Sequence, residues 1–548
     1  MTSAQRIIRI LLTALLAFAT AFAAFGCRSI SSVLTPTTRD TKETGPVPAP
    51  MDGGYYVATE SFAALDNGYI FIEEPLPDLP WSTEEYAVIK EHGFISVLSK
   101  PFSTFGADID TASYCNLRRM IRQGRVLDEI PAGAVRIEEM LNYFTYDYAG
   151  PKAGTGDLFG VTCTIADCPW NPDTKLLILG LQAKEAPVQS AGNNLVFLID
   201  VSGSMSSENK LPLLKESFAT LLENLGDEDT VSIVTYASGE EIVLEGAKAS
   251  ERTRILAAID GLVAKGATNG QAGLAQAYDV ASRYFIPGGN NLIILASDGD
   301  LNVGITSMSD LEDFVAAKRD SGIYLSVLGF GDGNYKDTKM ETIADNGNGA
   351  YYYIDCIEEA ERLFGEDLTK TLVAVANDVK FQLEFNPAYV KDYRQIGYEN
   401  RELTDDEFKD DKVDAGEVGS GAQITVAYEL VMTDSGMELF TSDSRYGAGN
   451  AGVENGEWFA LSVRWKEPGS TAADGAAQRT YAFGKDSYTA APGADWQFAA
   501  KVIQFGMVLT DSENLGTTDL SRLQEEVMAA HYTDERRAEF AKLVCRVM

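Results

Sequence analysis

The stretch Leu195-Val-Phe-Leu-Ile-Asp-Val-Ser-Gly-Ser204 determines the fold that we expect for the centre of the chain. Its first five residues are apolar without interruption, and from Asp200 onward small and polar residues predominate. A short, wholly apolar run is typical of a strand that is covered on both faces, as in a parallel sheet. The polar residues that follow would then lie at the carboxyl end of the strand, which is where such sheets bind ligands.

Similar apolar runs recur further along the chain and are separated by helical patterns. The sequence predicts strands at 195–199, 231–236, 291–296 and 323–329, and helices at 211–225, 272–284, 308–318 and 358–372. Strands that alternate with helices predict an α/β domain with a doubly wound, mostly parallel sheet. We place this domain at residues 190–370.

Oxygen-bearing side chains occupy three loops of this domain that follow strands or open helices. They are Asp200, Ser202 and Ser204 in the first loop, Thr268 in the second and Asp298 in the third. Taken singly, Asp-Gly is a turn former and a serine-rich loop before a helix is often an N-cap. Taken together, two carboxylates and three hydroxyls suit a hard cation such as Mg²⁺ or Mn²⁺. The sequence therefore predicts a metal site formed by these five residues.

The pattern D-x-S-x-S, a distant Thr and a later Asp-Gly resembles the metal-ion-dependent adhesion site of von Willebrand factor type A (vWA) domains, which have a Rossmann-like fold. The resemblance implies that Ser202, Ser204 and Thr268 offer hydroxyls to the metal. It implies that Asp200 and Asp298 act directly or through water. It also implies that the domain is a binding module rather than an enzyme. The metal of such a module bridges to an Asp or Glu of a protein partner.

The flanking segments resemble those of bacterial YfbK-type vWA lipoproteins, on stretches such as 101–114, 135–144, 384–387 and 393–401. The resemblance implies a small N-terminal module at 81–151 and a C-terminal domain of unknown function at 375–548. Alternation in 379–432 and 458–483 predicts antiparallel strands with one wet face, and 495–547 predicts two or three helices. A surface loop is expected at 435–456. The D-x-D pair Asp108 and Asp110 has no further ligand set and is interpreted as structural.

The N-terminus predicts export. Arg6 and Arg9 precede an apolar run at 10–25 that is too short for a comfortable membrane span. Gly26-Cys27 resembles the end of a lipobox, so residues 1–27 are interpreted as a signal peptide whose Cys27 is acylated. An ordinary cleaved signal and an uncleaved anchor stay open as alternatives. Residues 28–60 are expected to form a disordered tether. The expected location is extracytoplasmic, on a membrane, through the lipid anchor.

Composition excludes several classes of function. Lys plus Arg is 45 and Asp plus Glu is 81, a formal net charge of −36, which argues against a nucleic-acid partner. His92 and His531 are the only histidines, which disfavours histidine-based catalysis and histidine-rich zinc sites. Cys163 and Cys168 are close enough in sequence to form a disulfide, and they could equally be small buried hydrophobic residues.

Two other hypotheses concern the predicted metal site. The first is a metal-dependent hydrolase that uses metal-bound water, for which Asp300 is the one general base that stands out nearby. The second is an acidic side chain from the flanking segments that occupies the open metal position and keeps the site closed. The helix predicted at 358–372 joins the metal domain to the C-terminal domain and could couple their arrangement to metal binding.

Overall fold

The computed structural model describes residues 83–186, 192–268, 270–299, 321–437, 452–468 and 475–547, with short stretches at 314–315, 317–318, 439 and 470. Several predictions lie outside these residues: the signal peptide at 1–27 with Cys27, the tether at 28–60, Asp300, most of the helix at 308–318 and most of the loop at 435–456. Within the described ranges, we find no helix that is both long and apolar enough to cross a membrane.

The apolar runs of the central region form one six-stranded sheet. With strands numbered along the chain, their spatial order is β10 (Tyr351–Ile354), β9 (Tyr324–Phe330), β8 (Asn290–Ser297), β5 (Asn193–Asp200), β6 (Thr230–Tyr236) and β7 (Glu240–Lys248). Neighbouring strands run parallel, except that β7 is antiparallel to β6. The predicted mostly parallel sheet is confirmed. The edge strands β7 and β10 were not predicted from the sequence.

The side chains of β5 alternate between two separate cores. Leu195, Phe197 and Ile199 pack with helix α3 (Leu211–Asn224) and its neighbour α4 (Arg252–Asp260). Val196 and Leu198 pack on the opposite face with α5 (Gly270–Arg283) and α6 (Asp337–Asn346). Every residue of β5 is buried. Because helices cover both faces of the sheet, neither face can be polar, which explains the unbroken apolar run.

Two antiparallel sheets form a sandwich beside the central sheet. One contains β1 (Ile95–Ser96), β12 (Val390–Ile396), β14 (Gln423–Met432), β4 (Lys175–Ala183) and β3 (Phe159–Asp167). The other contains β13 (Gly416–Gly419), β11 (Ala374–Phe385), β15 (Glu457–Lys466) and β16 (Ala477–Gly484), and β2 (Phe102–Gly106) also pairs with β11. Leu179 of β4 and Phe381 of β11 belong to the same core. The antiparallel strands predicted at 379–432 and 458–483 are confirmed.

Strands that precede the central domain pair with strands that follow it. Ser103 of β2 pairs with Leu383 of β11, and Leu179 of β4 pairs with Val426 of β14. Segments at the two ends of the described chain therefore share both sheets. The domain boundaries 81–151 and 375–548 stay predictions. In the structure, strands of these two segments pair with each other, as β2 does with β11.

The central domain leaves and rejoins the sandwich at one point, Ser420. The Ser420 hydroxyl accepts a hydrogen bond from Ala186 N at 2.8 Å, and Ser420 N donates to Val373 O at 2.7 Å. Ala186 lies just before the central domain and Val373 just after it. The whole α/β domain is therefore an insertion into the sandwich.

Helices from both flanking segments pack together against the central domain. They are α1 (Ala112–Arg122), α2 (Ile137–Asn142), α9 (Ala494–Leu509), α10 (Leu520–Ala529) and α11 (Glu535–Arg546). The ring centroids of Phe144 and Phe498 lie 4.8 Å apart, and Phe540 packs against both. The helices predicted at 495–547 are confirmed as three. The predicted 358–372 helix is α7 (Ile357–Glu361), a π-helical turn (Arg362–Glu366) and α8 (Leu368–Leu372).

The cysteines of the described chain are all thiols, including Cys163 and Cys168. Burial raises the pKa of both thiols to about 12. The disulfide that the sequence left open is not formed. Cys168 fits the interpretation as a small buried hydrophobic group, and Cys163 is half-buried against the core of the sandwich.

Candidate metal site at the ends of β5 and β8

The predicted site lies where the strand order of the central sheet reverses. The chain continues from β5 to β6 on one side, whereas β8 lies on the other side of β5. Asp200 ends β5, and Asp298 directly follows Ser297, the last residue of β8. Because parallel strands end at the same edge, the two aspartates come to a common crevice.

The first loop folds back onto the carboxylate of Asp200. Asp200 Oδ1 accepts a hydrogen bond from Ser202 N at 2.8 Å, and the hydroxyls of Ser202 and Ser204 are 2.9 Å apart. Ser202 occupies the N-cap position of the short 3-10 helix Gly203–Ser206, but its side chain does not cap that helix. The interpretation of these serines as a simple N-cap is therefore wrong for Ser202.

The third loop joins the first through Ser297. Its hydroxyl donates to Asp200 Oδ2 at 3.3 Å and accepts from Gly299 N at 3.1 Å. Asp298 is fully buried. Gly299 has a φ of +90°, and a Cβ there would lie 2.5 Å from Lys336 N. Only glycine fits this turn without strain, and the turn directs Asp298 into the site.

The second loop, which carries Thr268, lies against the first. Lys265 N donates to Val201 O at 2.7 Å, and Gly203 N donates to Gly266 O at 3.0 Å. Thr268 is half-buried. All three predicted loops therefore meet at one edge of the sheet. Hydrogen bonds link the Asp200 carboxylate to the Ser202 backbone, and the Ser202 hydroxyl to the Ser204 hydroxyl.

The two carboxylates have opposite electrostatic environments. Burial raises the pKa of Asp200 to about 6, and the negative charge of Asp298 adds to this effect. Burial alone would also raise the pKa of Asp298, but Lys210, Ser204 and Asn334 together lower the pKa below its ordinary value. A cation next to Asp200 would offset the cost of its buried charge.

Lys210 is a site residue that the sequence analysis missed. Its Nζ donates to Asp298 Oδ2 at 3.0 Å and to Asn334 Oδ1 at 2.8 Å. Its side chain is only 5% exposed. Ser297, Tyr236 and Asn334 were missed as well; Tyr236 is fully buried beside Asp200 and Ser297. The one signal available was the position of Lys210 directly after the serine-rich loop.

The donor set fits a hard divalent cation. Asp200, Ser202 and Asp298 are buried and Ser204 is exposed, all four side chains offer only oxygen atoms, and Thr268 comes from the adjoining loop. Mg²⁺ and Mn²⁺ prefer such ligands. Lys210 contacts Asp298. The acidic side chain from the flanking segments that one hypothesis places at the open metal position stays a prediction. Asp300, the candidate base of the hydrolase hypothesis, lies outside the described residues.

The carboxylates of Asp108 and Asp110 are compensated by an arginine. Arg401 donates to Asp108 Oδ2 at 3.3 Å and to Asp110 Oδ2 at 3.0 Å. Asp110 Oδ1 also accepts from Tyr351 N at 2.8 Å. The D-x-D pair is therefore structural, as its sequence context indicated, and it attaches the segment before α1 to β10.

Comparisons with known protein families agree with this architecture. The family described as von Willebrand factor type A domain matches residues 194–366. The family described as von Willebrand factor matches residues 80–178, and the one described as "Uncharacterized protein YfbK, C-terminal" matches residues 370–548.

Relatives among known proteins extend over different shares of the chain. The uncharacterized protein YfbK of Escherichia coli (strain K12) is 39% identical over 473 residues, which are 84% of this chain and 80% of that protein. The voltage-dependent calcium channel subunit alpha-2/delta-2 of Mus musculus is 27% identical over 212 residues, 37% of this chain and 18% of that protein.

Solved structures with a similar fold include a von Willebrand factor type A protein from Catenulispora acidiphila. It is 17% identical, with a TM-score of 0.37 over 70% of this chain and 83% of that one. The ArnB paralog VWA2 from Sulfolobus acidocaldarius is 15% identical, with a TM-score of 0.36 over 71% of this chain and 96% of that one.

Proposed function

Because the chain belongs to the YfbK family of von Willebrand factor type A proteins, we propose that it is a metal-ion-dependent binding protein of the bacterial cell envelope. Asp200, Ser202, Ser204, Thr268 and Asp298 would hold Mg²⁺ or Mn²⁺. The bound ion supplies an electrophilic position that a carboxylate of a partner can complete. The partner is a protein that presents an Asp or Glu, and the chain acts as a binding or scaffolding module rather than as an enzyme.

The observation that carries the proposal is the meeting of three loops at the ends of β5 and β8. Asp200 is fully buried and reaches Ser202 N and Ser297 Oγ, while the Ser202 and Ser204 hydroxyls lie 2.9 Å apart beside it. Buried carboxylates without a full set of compensating charges are costly. Asp200 is in this position, whereas Asp298 is paired with Lys210. Two buried carboxylates with hydroxyls beside them are well suited to a divalent ion.

The proposed location follows from the N-terminal sequence. Acylation of Cys27 would hold the protein on a membrane, and export would place it outside the cytoplasm. The net charge of −36 gives no basis for electrostatic attachment to anionic lipid or nucleic acid. The lipid would therefore be the only anchor that the proposal needs.

Calorimetric titration of Mg²⁺ and Mn²⁺ into the full-length chain tests the metal site. We expect saturable binding that Asp200→Ala abolishes and that Asp260→Ala, at an exposed position in α4, leaves unchanged. The partner is tested next, by pull-down from envelope extracts with and without excess chelator. Binding in the pull-down that is equal in chelator and in metal would contradict the proposal, as would an Asp200→Ala variant that still binds the ions.

A further inference from the structure

Lys210 holds a positive charge inside the candidate metal site. Its ammonium lies 3.0 Å from Asp298 Oδ2 and 2.8 Å from Asn334 Oδ1. The Lys210 side chain is 5% exposed and the Asp298 side chain is fully buried. This contact is therefore shielded from solvent. Two charges in such a buried position interact more strongly than two charges at the protein surface.

The fold reserves a path for the Lys210 side chain. Gly331, directly after β9, has a φ of +77°, and a Cβ at that position would overlap the methylene chain of Lys210. Lys210 itself directly precedes α3, whose first turn fixes its backbone. With the stem enclosed and the ammonium held by two oxygens, the charge stays beside Asp298.

The charges of the site residues determine how Lys210 affects the binding of an ion. Asp200 and Asp298 bring two negative charges, and Lys210 brings one positive charge. Without an ion the three side chains together carry one negative charge. A divalent ion would leave these three side chains and the ion with one surplus positive charge, which a single carboxylate from outside neutralises.

We propose that Lys210 makes metal binding and carboxylate binding depend on each other at this site. The lysine weakens the binding of the ion alone, through repulsion between like charges. It also leaves the loaded site one negative charge short, so that an acidic ligand and the ion increase each other's affinity. The inference rests on the proposed function and adds a specific role for one residue to it.

A purely structural lysine makes a different prediction. If Lys210 served only to join the start of α3 to Asn334 and Asp298, its loss would loosen the loops and weaken the binding of the ion. The two roles therefore predict opposite signs for the change in metal affinity when the charge is removed.

Calorimetric titration of Mn²⁺ into the full-length chain distinguishes them, in chloride buffer and in acetate buffer of equal ionic strength. For the wild type we expect tighter Mn²⁺ binding in acetate than in chloride. For Lys210→Met we expect Mn²⁺ affinity in chloride to rise by about tenfold or more, and the gain from acetate to shrink. Lys210→Arg, which keeps the charge, should behave like the wild type.

Controls separate local charge from folding and from general electrostatics. Lys248→Met removes an exposed lysine of β7, which pairs with Thr230 at the start of β6, and should not alter Mn²⁺ affinity. Thermal unfolding shows whether each variant is folded. If Lys210→Met does not fold, Asn334→Asp provides the second test. It leaves Lys210 in place and adds a negative charge, so it should also raise Mn²⁺ affinity in chloride and reduce the effect of acetate.

The outcomes separate this inference from the function on which it rests. Wild-type protein that binds Mn²⁺, with a folded Lys210→Met that binds it equally or more weakly, overturns the role of Lys210 and leaves the proposed function intact. An effect of acetate that is as large in Lys210→Met as in the wild type also overturns it. Absence of Mn²⁺ binding in the wild type, in Lys210→Met and in Asn334→Asp overturns the metal site and this inference together.

Discussion

The guanidinium of Arg118 in α1 is bound to the carboxylate of Asp355, just after β10, with Nε 2.9 Å from Oδ2. Arg118 Nη2 also donates to Glu359 Oε2 at 2.9 Å. All three side chains are almost fully buried. Because α1 precedes the central domain and Asp355 and Glu359 lie at its end, this contact fastens the flanking segment onto the inserted domain.

Replacement of Arg118 by methionine should destabilise the protein strongly. The change leaves Asp355 and Glu359 buried with less compensation, which costs about 3–5 kcal/mol for a broken buried ion pair. The free energy of unfolding from urea titration measures the loss, and Arg252→Met, at an exposed position, is the control. A loss below about 1 kcal/mol, the range of surface ion pairs, would contradict the prediction.

The loss in Arg118→Met should also depend on pH. Burial alone would raise the pKa of Glu359, but Arg362 and Arg118 hold it at about 2, below its ordinary value of 4.5. A lowered pKa contributes stability that is present above pH 4.5 and is lost as the pH falls toward 2. The difference in the free energy of unfolding between Arg118→Met and the wild type should therefore become smaller as the pH falls from 4.5 toward 2.

Glu341 in α6 should destabilise the protein at alkaline pH. Burial raises its pKa to about 8, and the nearby charge of Arg136, at 3.5 Å, offsets this only in part. A raised pKa favours the folded state below about pH 4.5, and this contribution is lost as the pH rises through 8. Glu341→Gln should therefore exceed the wild type in unfolding free energy at pH 9, by on the order of 1–3 kcal/mol.

That difference should disappear well below pH 4.5, where Glu341 is protonated in both the folded and the unfolded state. Unfolding titrations at a series of pH values give the profile. Glu223→Gln, at an exposed position in α3, should follow the wild type throughout. A Glu341→Gln variant that is less stable than the wild type at pH 9 would show that the ionised carboxylate stabilises the fold.

Gly299→Ala should damage the metal site beyond the strain of the backbone alone. Gly124 supplies a matched control because its φ of +87° resembles the +90° of Gly299, yet a Cβ there meets nothing within 4 Å. Gly124→Ala should cost about 1–2 kcal/mol of stability, the usual penalty for this backbone conformation. Gly299→Ala should cost more and should also lower Mn²⁺ affinity, because the new Cβ would push the backbone at Lys336.

Thr268→Val should lower metal affinity with little effect on stability. The two side chains have nearly the same shape, and Thr268 is half-buried, so mainly the hydroxyl is lost. If that hydroxyl binds the ion, Mn²⁺ affinity should fall by about tenfold or more, which corresponds to 1.4 kcal/mol. Equal affinities in calorimetry would remove Thr268 from the ligand set.

The central fold could be predicted because its signals are local. The run at 195–199 lies between two cores. Because both faces of this strand are buried, all five residues are apolar, and this pattern is visible in the sequence. The pairing of Ser103 with Leu383 and of Leu179 with Val426 has no such signal. Alternating residues show that a strand has one buried face, but they do not specify a partner from a distant part of the chain.

The same distinction applies to the site. Asp200, Ser202 and Ser204 are close in sequence, and the ends of parallel strands bring Asp298 to them. The role of Lys210 could not be predicted from the sequence, because its long, flexible side chain can reach in many directions from one backbone position. Its contacts with Asp298 and Asn334 depend on the space that Gly331 leaves, which only the folded chain reveals.

The junction at Ser420, where Ala186 and Val373 are joined, has a consequence for the timing of folding. During synthesis, β2 and β4 emerge long before β11 and β14, with which they pair, whereas the strands of the inserted domain are complete by Ile354. Contacts between residues close in sequence form sooner than distant ones. The α/β domain can thus fold while β2 and β4 still lack these partners, and during that interval their unpaired edges are open to aggregation or to chaperones.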